Sequence, residues 1–299
     1  MISRPREDGL SEVVGFVLLL GVIVVALSLY QVYAVPAVGR EDEIAHMNQV
    51  KDRFVDYKIA LDSLWVNNRS GVLLSTAFDL GTGATTTGGG AFTIPILTPV
   101  GSGGTVSAKS GGANLTIDTG SKKETIPLGS LSYRSSNNYW VEQTWTYQGG
   151  AIFLSQEGGT TVRVGPSIAV AEREGGNINL DVALTSLEGS GMTSGSGPVR
   201  VETRMRPGSP SFFHRACDHV VLTVEGDDPA TIGAWKRAFD EIRGRTKEDY
   251  GILLSKPVLS ADNKTVTFIV DPGSGNTVFL TVYRARYTVT IHNTASLTE

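Results

Sequence analysis

The sequence is poor in cysteines that could staple a fold and in the motifs that mark a catalytic site. It holds a single cysteine, Cys217, so no intrachain disulfide can form and the fold must rest on its own core. No nucleophile elbow, phosphate loop or HExxH zinc motif is present. Glycines are closely spaced at 81–83 and 101–104, but no Lys-Ser/Thr follows and no dinucleotide-binding unit surrounds them, so they read as turns. Long runs of one charge are missing too. The net charge of −4 is spread along the chain, which excludes the basic face of a nucleic-acid binder.

His214, Cys217, Asp218 and His219 are the one cluster of ligand-type residues. Histidine and cysteine thiolate bind zinc, but four neighbours on one segment cannot all face one ion. His46 and His292 stand apart from them. The cluster reads as a loop-to-strand junction with a small buried thiol. No metal, no cofactor and no catalytic residue is assigned, and the chain is not read as an enzyme.

What the sequence has is one long apolar run. Residues 13–34 read VVGFVLLLGVIVVALSLYQVYA, 22 positions without a charge. As a helix they span about 33 Å, close to the thickness of a bilayer core. A secretory signal has a shorter apolar region, roughly 7–15 residues, and ends at a small-residue cleavage site. Here Tyr30, Gln31 and Tyr33 close the run, like an interfacial belt. Arg4 and Arg6 precede the span and Arg40 follows it with Glu41, Asp42 and Glu43, an asymmetry that places the short N-terminus in the cytoplasm and the rest outside.

Residues 6–15 read REDGLSEVVG: a short hydrophilic leader ends in Gly9, and the apolar run follows almost at once. This resembles the prepilin-type (class III) signal of archaeal type IV pilins. The resemblance implies cleavage between Gly9 and Leu10 by a prepilin peptidase, with the apolar segment kept on the mature chain. Glu12, Val13, Val14, Gly15 and Phe16 then match the start of the pilin helix that packs in a filament core. Asp8 departs from the basic residue that the family favours beside the cut. Glu12 suits the positive end of a helix dipole. Within a filament it would pair with a neighbour's new N-terminal amine, and in a lone anchor it would face water. Residues 136–170 also resemble a hairpin-rich stretch of archaeal pilin-like proteins, through Tyr147-Gln148-Gly149-Gly150-Ala151 and Val164-Gly165-Pro166-Ser167.

After the run the pattern turns amphipathic. Ile44, Met47, Val50, Phe54, Tyr57, Leu61 and Leu64 recur at steps of three and four, one helical stripe. Asp42, Lys51, Asp52, Asp56 and Lys58 lie between. Pro36 predicts a kink or break. From about residue 72 the grammar is that of short strands: 92–97, 114–118, 139–147, 151–156, 161–164, 178–184, 199–205, 220–224, 265–270 and 277–292. Gly149-Gly150 predicts a hairpin turn and 271–275 another turn. One helix interrupts the strands. Asp228 caps it, Pro229 opens it, Ile232, Trp235, Phe239 and Ile242 form its stripe, and Gly244 is the expected stop.

The expected class is α+β: a long N-terminal hydrophobic and amphipathic helix, then a β-rich, sandwich-like head with one inserted helix. The expected segments are a leader at 1–9, a transmembrane or filament-core helix at 10–35, a stalk at 36–67 and an extracellular head at 68–299. The head is one domain or two lobes, with a break in the Gly/Ser-rich stretch near 186–198. Asn68, Asn114 and Asn263 lie in N-x-S/T sequons and are candidate N-glycosylation acceptors. The functional expectation is a structural subunit, major or minor, of a pilus-like surface filament, its head exposed for adhesion. The alternative is a non-polymerising, membrane-anchored surface binding protein. Expected partners are copies of itself or other pilins, the peptidase, the membrane and surface glycans.

Overall fold

A computed structural model describes residues 8–83 and 97–293, with side chains described from Glu12 to His292. Of the run 92–97 expected as a strand, 92–96 lie outside the described residues and Leu97 is not in a strand.

The N-terminal segment is a single continuous rod. Helix α1 (Asp8–Leu29) passes through a π-helical stretch (Tyr30–Ala34) into α2 (Val35–Val66). The break expected at Pro36 does not occur. A proline lacks an N–H and crowds the carbonyl four residues back. Here the turn before it widens by one residue, and the Val35 N–H donates to Tyr30 O, five positions back. The ladder absorbs the proline without stopping. The helix ends where Asn68 adopts φ +50° and the Arg69 N–H donates to Leu64 O at 2.9 Å, a Schellman-type closure.

Among the described residues the head consists of three sheets. The first runs β1 (Leu73–Asp79), β12 (Pro198–Met205), β17 (Val278–Asn293), β10 (Asn177–Glu188) and β9 (Ser167–Arg173). Strand β13 (Ser211–Cys217) shares with β12 the edge of β17 that faces away from β10. Strands β10 and β17 pair in parallel, and all other strand pairs among the described residues are antiparallel. The second sheet runs β11 (Ser190–Gly195), β2 (Gly103–Lys109), β5 (Ser130–Ser136), β6 (Thr144–Gln148), β7 (Ala151–Gln156) and β8 (Gly159–Val164). The third runs β15 (Val258–Leu259), β16 (Thr265–Val270), β14 (Val220–Gly226), β3 (Ala113–Asp118) and β4 (Lys123–Pro127). The architecture is therefore α+β, as the pattern of elements predicts.

Two cores fill the space between these layers, and the long strands serve both. Side chains alternate across a strand. On β17, Val278, Leu280 and Val282 enter one core, while Ala285, Tyr287 and Val289 enter the other from the opposite face. Strand β10 does the same with Ile178 to Leu184 at even positions and then Leu187. Strand β7 is buried on both faces: Ala151 and Phe153 point one way, Ile152 and Leu154 the other. These strands thus contribute side chains to both cores, on either side of the 186–198 stretch. That stretch holds β11, which extends the second sheet beside β2.

Three further expectations change. The strand expected over 139–147 starts only at Thr144, because residues 138–140 spend their amides elsewhere, as described below. Gly103 and Gly104, expected in a turn, open strand β2. Helix α3 (Pro229–Tyr250) passes through Gly244 and stops at Gly251, whose φ is +70°. Its buried stripe extends from Ile242 to Thr246, so the packing carries the helix past a glycine that costs only about 1 kcal/mol. Its start is as read: the Asp228 carboxylate accepts from the N–H groups of Ala230 and Thr231.

Candidate functional site

The outstanding surface is the front of the rod. From Val13 to Tyr33 each large apolar side chain is between 45% and 71% exposed. Gly15 and Gly21 have no neighbour within reach. The one hydroxyl in α1 outside its first turn, Ser28 Oγ, donates to Val24 O at 2.8 Å and so is satisfied within the helix. The Glu12–Val66 helix is long and apolar enough to cross a membrane, with a mean hydropathy of 2.8 over its most apolar window. Covering one such side chain is worth about 1.5–3 kcal/mol, so covering the whole face is worth on the order of tens of kcal/mol. An apolar N-terminal helix of this kind occurs both in membrane anchors and in signal sequences.

The second half of the rod is the opposite case. Met47, Val50, Phe54, Tyr57, Leu61 and Leu64 are buried in the core shared by the first two sheets. Phe54 meets the Phe78 ring edge-on at 5.4 Å, and Tyr57 meets Tyr147 edge-on at 5.4 Å. Polar tips are matched: Tyr57 Oη pairs with Thr203 Oγ1 at 2.9 Å, and Tyr287 Oη donates to Leu61 O at 2.7 Å. Burial pushes the Tyr57, Tyr133, Tyr147 and Tyr287 phenols well above their ordinary range. Lys58, one of the charges between the stripe positions, is also buried. Its ammonium reaches Asp62 at 2.8 Å and Ser167 Oγ at 3.3 Å.

The joint between the two halves is built around Glu43, only 1% exposed. No basic side chain pairs with it among the described contacts. Its carboxylate instead accepts three backbone amides: Asn138 at 2.6 Å, Tyr139 at 2.9 Å and Trp140 at 2.6 Å. Successive N–H groups curled around an anion form a nest, and bonds to an ionised acceptor are roughly twice as strong as neutral ones. Around it, the Tyr139 ring and Pro99 lie against Gly39, where a Cβ would overlap both. The Arg40 guanidinium stacks 4.5 Å over the Trp140 ring. The Val100 N–H donates to Tyr139 Oη at 3.1 Å. Glu43 gives no signal in the sequence beyond being one of three acids after the span. The loop that holds it is 95 residues away.

At the far end of α2 the head presents aromatic rings in file. Trp65 and Tyr283 are 5.7 Å apart, Tyr283 and Phe212 6.3 Å, and Phe212 and His214 5.7 Å. Phe212 is 65% exposed. From Arg40 to Trp65 the helix rises about 38 Å, so this file and the joint lie at opposite ends of α2.

The remaining sequence candidates are placed as follows. Gly9 and Leu10 fall in the first turn of α1. Glu12 is exposed at its start. Asn68, Asn114 and Asn263 are all exposed, two in turns and Asn114 on β3. His214 and Cys217 sit on opposite faces of β13; Cys217 is its last residue, and Asp218 and His219 lead from it into β14. His214 Nδ1 pairs with Thr281 Oγ1 at 2.9 Å, and Cys217 Sγ lies against Val278 O at 3.7 Å. Burial raises the Cys217 pKa, which disfavours the thiolate. Among the described residues no three His, Cys, Asp or Glu side chains converge as a metal site.

The chain belongs to a family of unknown function, DUF7289, whose model matches residues 9–287 and so spans the apolar helix, the joint and nearly all of the head. No curated protein and no solved structure matches it.

Proposed function

We propose that this member of the DUF7289 family is a surface subunit of the archaeal type IV pilin kind. The chain is first anchored in the cytoplasmic membrane by its apolar helix and then packed by that helix into a filament core, its head outside. One observation carries this reading: a single rod whose front half is wholly uncovered and apolar and whose back half is locked into a folded head. The leader ending at Gly9 supports it, because cleavage there would retain the helix. Glu12, exposed at the start of α1, is available to a neighbour's N-terminal amine. The aromatic file at the distal end offers the head an adhesive face for surface glycans, since flat rings stack well on the apolar faces of sugars.

A non-polymerising anchored binding protein would use the same rod and head. Imaging of native surface filaments separates the two readings. The proposal expects this chain in a filament with its α1 helices bundled on the axis. Material found only as detergent-extracted monomer would count against assembly and leave the anchored binding protein.

A further inference from the structure

We infer that the underside of the head docks on the bilayer that holds the anchor, through Val100, Trp140 and Val141 together with Arg40. The inference rests on reading α1 as a membrane anchor.

The depth of this patch follows from the rod. No charge stands between residues 13 and 39, and Arg40 is the first after the span. Gly39 lies five residues beyond the end of the apolar run, a rise of about 7.5 Å. A bilayer's headgroup layer is roughly 5–8 Å thick on each side of a hydrocarbon core of about 30 Å. The head touches the rod at Gly39 through Tyr139 and Pro99. The missing side chain allows this close approach, and the Glu43 nest holds the loop in place. The 97–101 and 138–142 segments therefore stand at headgroup level whenever the span is in lipid.

The residues there are of the interfacial kind. Val100 is 68% exposed and Val141 42%. Neither belongs to a helix or a strand. Trp140, half-buried, carries Arg40 on its face, an amphipathic pair of a type favoured where one end is apolar and the other wet. Tyr30 and Tyr33 lie on the same rod, two to three turns below Arg40, and continue the aromatic belt. The docked head would thus stand upright on the membrane, with the aromatic file pointing away.

The test uses the full chain in phospholipid vesicles, in a Cys217→Ser background. An environment-sensitive fluorophore is placed singly at Tyr33→Cys, Val100→Cys, Val141→Cys and Val66→Cys, and quenched by lipids that carry a spin label near the headgroup. Docking predicts quenching at positions 33, 100 and 141, and none at position 66. Quenching at 33 without quenching at 100 and 141 would overturn the inference and assign the patch to a protein neighbour. Absence of quenching at 33 would overturn the anchor reading itself.

Discussion

The carboxylate of Glu43 and the backbone amide of Trp140 meet at 2.6 Å, and with two more amides this contact fastens the head to the rod. Charge-assisted bonds of this sort contribute about 1.5–3 kcal/mol each, and orphaning buried amides costs more. Glu43→Ala should therefore destabilise the head by about 3 kcal/mol, and Glu43→Gln by less, since one acceptor oxygen stays. Denaturant unfolding gives the magnitude, and hydrogen exchange at 138–140 gives the location. Unchanged protection of those three amides in Glu43→Ala would contradict this role.

Gly39 is the second element of the joint. Gly39→Ala drives a methyl into the Tyr139 ring and Pro99, so the loop must shift. Overpacking of this kind costs about 1–3 kcal/mol. The expected result is lower stability together with loss of the Arg40–Trp140 stack, read as a change in Trp140 emission in a variant that keeps that tryptophan alone. Wild-type stability would mean that the approach is looser than described.

Two glycines of α3 should respond with opposite sign. Gly244→Ala replaces an interior helical glycine that has open space around it, and should stabilise by about 0.5–1 kcal/mol. Gly251→Ala forces a side chain into φ +70° and should destabilise by about 1 kcal/mol. Thermal unfolding of the two variants ranks them. The reverse order would put the helix end at Gly244 after all.

These glycines show where the sequence stops being legible. Gly244 reads as the stop in the sequence, and burial of Thr246 carries the helix past it to Gly251. The apolar helix, its stripe from Met47 to Leu64, the Asp228 cap and β17 are readable because each rests on local periodicity or chemistry. Strands β2 and β5 are not, because Ser, Thr and Gly dilute their alternation. The parallel pairing of β10 with β17 joins residues 100 positions apart, such as Ile178 and Val278. Glu43 is hidden for the same reason: its partners are backbone atoms of a distant loop, which leave no mark in its own neighbourhood. The burial of Lys58 is hidden too, because helical spacing alone does not reveal Ser167 on β9, which its ammonium reaches.

Stability should fall in alkali. Burial raises the phenols of Tyr57, Tyr133, Tyr147 and Tyr287 above their usual value of 10.0. Above about pH 10 the unfolded chain loses these protons while the folded one keeps them, so the unfolded state gains. The contribution is complete below pH 10 and is lost as the pH climbs toward the raised folded values. A pH titration should show these four tyrosinates appearing together with loss of circular dichroism. Their ionisation well before any structural change would contradict the burial of these rings.

The central claim is that the apolar helix is retained on the mature chain after a cut at Gly9. N-terminal sequencing of the protein isolated from its native membranes or filaments tests this directly. The account predicts a mature chain beginning Leu10-Ser11-Glu12, and its loss in Gly9→Leu. A chain still starting at Met1 would contradict the processing claim, and one lacking everything through Ala34 would remove the anchor itself.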